Sequence, residues 1–309
     1  MATSYPTPIS PDRTRIGWIG IGVMGAAMAT RLLAAGYSVT IYARTPSKAS
    51  ALVSLGATLA DSPASLAATS DIIFTMLGHP SDVREIVLDR KDAVLKSLKL
   101  GGVLVDHTSS SPELAKEIYK AVRGKGCFAV DAPVSGGDLG ARTGNMAIFA
   151  GGDEEVVDWL RPVLGVLGNR ATYMGDAGSG HKCKIANQIV VGGAMLGISE
   201  GLVFAGRAGL DQGKWLEAVR GGAAGSRMME LFGERIIQGD FRPGGFAEYM
   251  VKDLGMAVNY VAGEKDDGEI AVLPGAALVK ELYTGMVANG DGKIGGQGLI
   301  TVIERINGK

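Results

Sequence analysis

Only two cysteines occur in the 309 residues, Cys127 and Cys183, far apart and in no CxxC pattern. Their scarcity argues against a disulfide framework or a cysteine-bound zinc, and it suits a reducing, cytoplasmic setting. The three histidines, His79, His107 and His181, show no metal-ligand spacing, so no metal is expected and each is placed on the surface or in a loop. An excess of charge of either sign is also missing, since 31 basic residues face 32 acidic ones. Such a chain offers no broad field to nucleic acid or to an anionic membrane, and an anionic partner has to be held by a specific site. Long hydrophobic runs are absent as well. The longest, Ile189 to Ile198, is about half of the roughly 20 residues that a bilayer span needs, so no transmembrane helix is expected. The opening "MATSYPTPISPDRT" has no apolar core and reads as a short mobile leader over residues 1–14, not a secretory signal.

What is present divides into two halves of different period. The length exceeds what one hydrophobic core usually serves, which predicts two domains. From Arg15, short apolar runs alternate with helical stretches: "RIGWIG", "YSVTIYA", "ATLA", "DIIFTML", "GVLVDH", "CFAVDAP", "MAIFAGG" and "ATYMG". Strands alternating with helices predict an α/β domain over 15–175, with a mainly parallel sheet covered on both faces. After Gly175 the strand signals stop, and glycine-punctuated helical spacing predicts an all-helical domain over 176–309. Its first segment, from "AGSGHKCK" onward, is long enough for one helix of nearly 30 residues. The charged insertion "GEKDDGEIAV" (263–272) is expected to be an exposed loop.

"GIGVMG" carries Gly20, Ile21, Gly22, Val23, Met24 and Gly25 in G-x-G-x-x-G spacing. With 47 glycines in the chain the bare match is weak, and ordinary loop glycines would give it too. Its position between a strand and a helix favours a dinucleotide: the first glycine allows a tight turn, the second lets a pyrophosphate approach the backbone, and the third lets helix and strand pack closely. An NAD site usually has an acid about 20 residues further on. Here "ARTPSK" puts Arg44 at that place, followed by Thr45, Ser47 and Lys48. Either this is a solvated basic loop or it receives the 2′-phosphate, with Arg44 pairing with phosphate or stacking on adenine. The second reading makes NADP the expected cofactor, with NAD possible. Met76 and Leu77 in "TMLG", and Thr108 or Ser109 in "HTSSSP", follow strand ends, where open α/β sheets bind ligands. They are candidates to contact the nicotinamide ribose and the nicotinamide.

"DAPVSGG" ends a strand with Ser135, Gly136 and Gly137; it is either a plain turn or a nest of N–H groups for a substrate carboxylate. In "GSGHKCKIANQ", Lys184, Asn187 and Gln188 stand at i, i+3 and i+4 and share one helical face. The helix is apolar on nearly every side, so its lysine either snorkels at the helix start or borders a polar cleft. Hydride transfer at a carbinol carbon needs a partner that moves a proton on the oxygen, and Lys184 is the candidate.

Taken together, "GWIGIGVMGAAMA", "DAPVSGG", "GSGHKCKIANQ" and "EYMVKDLGMA", in that order, resemble the β-hydroxyacid dehydrogenases, most closely the 3-hydroxyisobutyrate dehydrogenase-like members. The resemblance runs from Arg15 to the carboxyl end. It implies a Rossmann domain followed by an all-helical domain that builds a homodimer or homotetramer. It also implies Lys184 as the catalytic lysine, Ser135, Gly136 and Gly137 as the substrate-carboxylate loop, and Lys252 as a lysine near the cofactor, with Asp253 beside it. Many members carry an asparagine four residues after the lysine. This chain has Gln188 there and Asn187 one position earlier, which leaves open which amide meets the substrate. The basic "ARTPSK" looks like the glyoxylate and succinic semialdehyde reductase branch. Other expectations of a different kind are a dinucleotide-binding module without chemistry, like relatives whose lysine is replaced, and an imine reductase on the same fold.

Overall fold

The computed structural model describes residues 7–263 and 272–308, so most of the 263–272 insertion lies outside the described residues. Two compact units divide between Lys184 and Ile185, inside a helix and later than the boundary near 175 expected from the loss of strand signals. Residues 10–14 of the leader are anchored by a turn: the Thr14 N–H donates to the Ser10 carbonyl (2.9 Å) and the Ser10 N–H to Thr14 Oγ1 (3.1 Å). Ile9 packs on the core before it, so this stretch differs from the mobile leader that composition suggests.

The first unit runs β1 (Arg15–Ile19), α1 (Val23–Ala34), β2 (Ser38–Tyr42), α2 (Ser50–Ser54), β3 (Thr58–Leu59), α3 (Pro63–Thr69), β4 (Ile72–Thr75), α4 (Pro80–Arg84) and α5 (Val94–Ser97). It continues with β5 (Val103–Asp106), α6 (Pro112–Arg123), β6 (Phe128–Asp131), β7 (Val134–Ser135), α7 (Gly137–Thr143), β8 (Ala147–Gly151), α8 (Glu154–Leu167) and β9 (Arg170–Gly175). The nine strands form one sheet in the order β3-β2-β1-β4-β5-β6-β8-β7, with β9 beside β8. β3 to β6 are parallel, and β8 runs antiparallel to β6 and β7. Chain order reverses between β1 and β4, which opens a crevice at their carboxyl ends, the place where doubly wound sheets bind ligands. The near-continuous apolar strands follow from burial on both faces. Ile16, Trp18, Phe74, Val105 and Val130 enter one core cluster, while their strand neighbours Ile19, Ile73, Leu104 and Ala129 enter the other.

α9 (Ser179–Arg207) leaves β9 after a three-residue turn and carries 29 residues. The second unit continues with α10 (Gln212–Arg220), α11 (Arg227–Ile237), α12 (Ala247–Gly263), α13 (Pro274–Met286) and α14 (Ile300–Ile306). Asp211 and Ser226 cap α10 and α11 by accepting the Lys214 and Met229 N–H groups (2.7 and 3.1 Å). Among the described residues, α9 is one helix long and apolar enough to cross a membrane by length and composition. Reading uninterrupted apolar runs missed this, because the run from Ile189 stops at Ser199 and Glu200 while the helix continues beyond them to Arg207. Its Met195, Ile198, Leu202 and Val203 enter the core of the second unit, which explains its composition as that of a core helix.

At the carboxyl ends of β1, β4 and β5 an aromatic stack lies under the crevice. Trp18 stacks on Phe74 (5.3 Å between centroids), and Phe74 lies nearly parallel to the His107 ring at 5.2 Å. His107 lies in the loop just past β5, one of the two positions expected for it, yet it has no exposed surface; an apolar run ending in "DH" carries it inside. Burial pushes its pKa down to about 4, against a partial opposing pull from the Ala132 carbonyl at Nδ1 (2.6 Å) and from Asp106. The ring is therefore neutral in the fold and donates to Ala132, while in the unfolded chain it takes up a proton near pH 6.5. Because the unfolded state binds more protons between about pH 6.5 and 4, stability falls as pH drops through that window, by about 3 kcal/mol for this group alone. Urea unfolding from pH 7 to 4.5 is expected to show a steeper loss for the wild type than for His107→Gln, and parallel curves would contradict the assignment.

Candidate active site

The glycine turn after β1 is built for close approach. Gly20 has φ +98°, and a Cβ there would run into the Met76 carbonyl beyond β4. A Cβ on Gly25 would strike the Gly20 carbonyl, so the first turn of α1 sits directly on the loop. Trp18 Nε1 donates to that same carbonyl (3.0 Å) and pins the turn from below. Gly22, at the N-cap, supplies no side-chain cap, α1 has no acid in its first turn, and nothing stands within 4 Å of where a Gly22 Cβ would be. Open space over uncapped N–H groups and the positive end of a helix dipole fits a dinucleotide pyrophosphate. Ile21, Val23 and Met24 flank this opening, with Val23 exposed.

Beyond β2 the chain makes a short 3₁₀ turn, Pro46–Ala49. Arg44, Thr45, Ser47 and Lys48 are all exposed around it, and no acid stands among them. Two cations and two hydroxyls on one turn offer charge and hydrogen bonds to a phosphate, where an NAD site would present a carboxylate.

A continuous chain of contacts runs from the glycine turn to the start of α9, all of it within the first unit. The Met76 N–H donates to the Ile19 carbonyl (2.9 Å), and the next residue, Leu77, donates its N–H to Thr108 Oγ1 (2.9 Å). Thr108 is fully buried and its own N–H reaches Asp106 Oδ1 (3.0 Å), which Thr75 Oγ1 also contacts at 2.7 Å. Ser109 is half-buried, so of the two hydroxyls it is the more accessible. Asp106 Oδ2 faces His181 Nε2 at 3.7 Å, a polar contact longer than a normal hydrogen bond. Burial raises the Asp106 carboxyl, but His181, Thr108 and Thr75 together outweigh it and hold the group below the usual carboxylate range. Asp131, the register partner of Asp106 on β6, accepts the Gly178 N–H (2.7 Å) and the His181 N–H (2.9 Å). Burial raises Asp131 overall, only partly offset by His181 and those two N–H groups. One turn further along α9 lies Lys184, 9% exposed.

Ser135 ends β7 and is half-buried; Gly136 and Gly137 follow at φ +146° and +64°, and α7 starts at Gly137. The segment thus turns directly from a two-residue strand into a helix. In the second unit a separate polar cluster forms. Asn187 Nδ2 donates to Gln188 Oε1 (2.9 Å), Gln188 Nε2 donates to Asp253 Oδ2 (2.8 Å), and Lys252 Nζ lies 3.2 Å from Asp253 Oδ1. Lys252 Nζ also lies 5.3 Å from the centre of the Tyr249 ring, a cation–π distance.

Sequence reasoning passed over Asp106, Asp131 and His181. His181 is 1% exposed, not a surface or loop residue as expected. A signal was available: "VLVDHT" and "FAVDAP" each end an all-apolar strand on an aspartate, and a carboxylate buried at the ligand end of a parallel sheet requires partners. Among the described residues no group of three or more His, Cys, Asp or Glu side chains could hold a metal ion.

Known proteins bear on this geometry. Residues 15–175 match the family described as the NAD binding domain of 6-phosphogluconate dehydrogenase. Residues 178–303 match that described as NAD-binding of NADP-dependent 3-hydroxyisobutyrate dehydrogenase. Over 308 residues the chain is 57% identical to the probable 3-hydroxyisobutyrate dehydrogenase-like 3, mitochondrial, of Arabidopsis thaliana, covering 100% of this chain and 93% of that protein. It is 36% identical to the 2-hydroxy-3-oxopropionate reductase of Escherichia coli, covering 94% and 97%. A crystal structure of 3-hydroxyisobutyrate dehydrogenase from Salmonella typhimurium superposes with a TM-score of 0.84 at 27% identity, over 94% of this chain and 99% of that one. With the glycine turn, the doubly wound sheet and the helical second unit all accounted for, the chain belongs to the β-hydroxyacid dehydrogenase family and is an NAD(P)-dependent, 3-hydroxyisobutyrate dehydrogenase-like oxidoreductase.

Proposed function

We propose that the protein interconverts a small β-hydroxy acid and its semialdehyde, with Lys184 moving the proton on the substrate oxygen. The observation that supports this is the unbroken run of contacts from the glycine turn through Met76, Leu77, Thr108 and Asp106 to His181, one helical turn before the buried Lys184. Bound nicotinamide supplies or accepts the hydride. Gly20, Ile21, Gly22, Val23, Met24 and Gly25 present backbone to the pyrophosphate; Met76, Leu77 and Ser109 or Thr108 line the nicotinamide end, and Lys252 serves the cofactor. Ser135, Gly136 and Gly137 take the substrate carboxylate. In oxidation Lys184 accepts the hydroxyl proton, and in reduction it returns one. Asn187 is our choice for the substrate-facing amide, because Gln188 has its oxygen on Asn187 and its nitrogen on Asp253.

Among substrates, 3-hydroxyisobutyrate comes first. Reduction of tartronate semialdehyde, glyoxylate or succinic semialdehyde with NADPH is the alternative, and the basic turn after β2 favours NADP over NAD. A purely dinucleotide-binding role is disfavoured by the retained Lys184. We place the enzyme in the cytoplasm, a reducing setting that its two free cysteines suit, although the mitochondrial matrix suits them equally; the Arabidopsis relatives are named mitochondrial, and fractionation of cells expressing the full chain decides between the compartments. We also propose a homodimer or homotetramer in which a second copy covers the exposed apolar side chains of α9, Val190 (72% exposed) and Phe204 (71%).

Lys184→Ala is expected to bind NADPH within a few-fold of wild type, by fluorescence titration, and to lose about 10²–10⁴ in turnover across a panel of the four substrates. Near-normal turnover on the best of them would refute the role. Arg44→Asp should weaken NADPH at least about tenfold, with NADH little changed; equal losses would make the turn a mere solvated loop. Light scattering should give a multiple of the 31.9 kDa chain mass, reduced to a monomer by Val190→Asp with Phe204→Asp. A monomeric wild type would end the assembly proposal.

A further inference from the structure

The first turn of α9 is held by two buried carboxylates that end neighbouring parallel strands. Asp106 closes β5 and Asp131 closes β6, and they are paired in register. They hold the helix in different ways. Asp131 grips its backbone, taking the Gly178 and His181 N–H groups on separate oxygens. These bonds fill two donors that a helix start leaves open and add a negative charge at the positive end of the dipole. Gly180 lies flat between them, against the Asp131 and Phe149 carbonyls, where a Cβ would not fit. Backbone bonds and a close approach fix where the helix begins. Through Gly180 they also bring one face of the turn against the strand ends.

The side chain of His181 adds a side-chain restraint on the rotation of that turn. It is the side chain of this turn that reaches a second strand end, Asp106. Its ring is almost entirely enclosed, which limits how far it can swing. Positions 181 and 184 stand three residues apart on neighbouring lines of the helix surface, so fixing the direction of one side chain fixes the direction of the other. Asp106 is in turn tied to Thr75, and through Thr108 to Leu77. The direction of Lys184 is thereby referred to the same loops proposed to hold the nicotinamide.

We infer that His181 is a positioning residue for Lys184: its contact with Asp106 sets the rotation of the α9 start, and with it the aim of the Lys184 ammonium. The inference rests on Lys184 being the proton-moving group. A misaimed catalytic group costs turnover while leaving binding of the dinucleotide largely as it was, since that uses the glycine turn and the turn after β2. A displacement of about 1 Å at a reacting group can cost on the order of a hundredfold.

The test uses the full chain with NADPH and the best semialdehyde found for the wild type. His181→Ala is expected to lower kcat by about ten- to a hundredfold, with the NADPH Kd within about threefold of wild type. His181→Gln, which keeps an N–H donor in reach of Asp106, is expected to recover most of kcat, whereas His181→Leu, similar in bulk but without a donor, is not. Should the alanine variant fail to fold, the Gln and Leu pair decides alone, with circular dichroism certifying each as folded. Wild-type kcat in His181→Ala overturns the proposal, as does equal kcat in the Gln and Leu variants or a parallel loss of kcat and NADPH affinity in both. The parent reading is judged separately: an active Lys184→Ala removes Lys184 as the proton carrier, whereas an inactive Lys184→Ala beside a fully active His181→Ala removes only the positioning role.

Discussion

Much of the first unit answers to one constraint, that two carboxylates buried at the ligand end of a parallel sheet must be paired. An unpaired charge there would cost several kcal/mol. Asp131 is satisfied by the amino end of α9, Asp106 by two threonine groups and His181. These partners lie on β4, on the segment after β5 and on α9. The requirement therefore draws together three pieces of chain that are distant in sequence, at the carboxyl ends of the neighbouring strands β4, β5 and β6.

The aromatic stack under the crevice has a related effect. Trp18, Phe74 and His107 fill the space at the ends of three strands with flat rings, and Trp18 spends its one N–H on the Gly20 carbonyl. Ring pairs of this kind contribute about 0.5–1.5 kcal/mol beyond the area they bury. Their larger contribution is shape: a glycine turn resting on rigid rings presents its N–H groups in a fixed array, so less ordering is left for the moment a phosphate arrives.

Fold class was readable because the strands are short, apolar and regularly spaced, and because helices of 3.6-residue period replace them abruptly after Gly175. The 29-residue α9 was also legible from its spacing and the lack of a proline. The burial of His107 in its loop and the buried, helical place of His181 escaped the sequence for a physical reason. Histidine belongs inside or outside according to partners that come from other strands, and local pattern carries no record of them. The same holds for Asp106 and Asp131, whose register pairing exists only in the sheet. The two-residue strand β7 was too short to leave a period. The relation among Asn187, Gln188, Asp253 and Lys252 depends on α9 and α12 packing together, some 65 residues apart in the chain.

The exposed turn after β2 differs from everything that surrounds the carboxylates. Arg44, Thr45, Ser47 and Lys48 all lie at the surface and outside the hydrophobic clusters, so replacing them disturbs no packing. Coenzyme selectivity in this architecture is consequently free to drift between close relatives by a few surface changes, whereas the buried acids beneath the helix start admit almost no variation without loss of the whole arrangement.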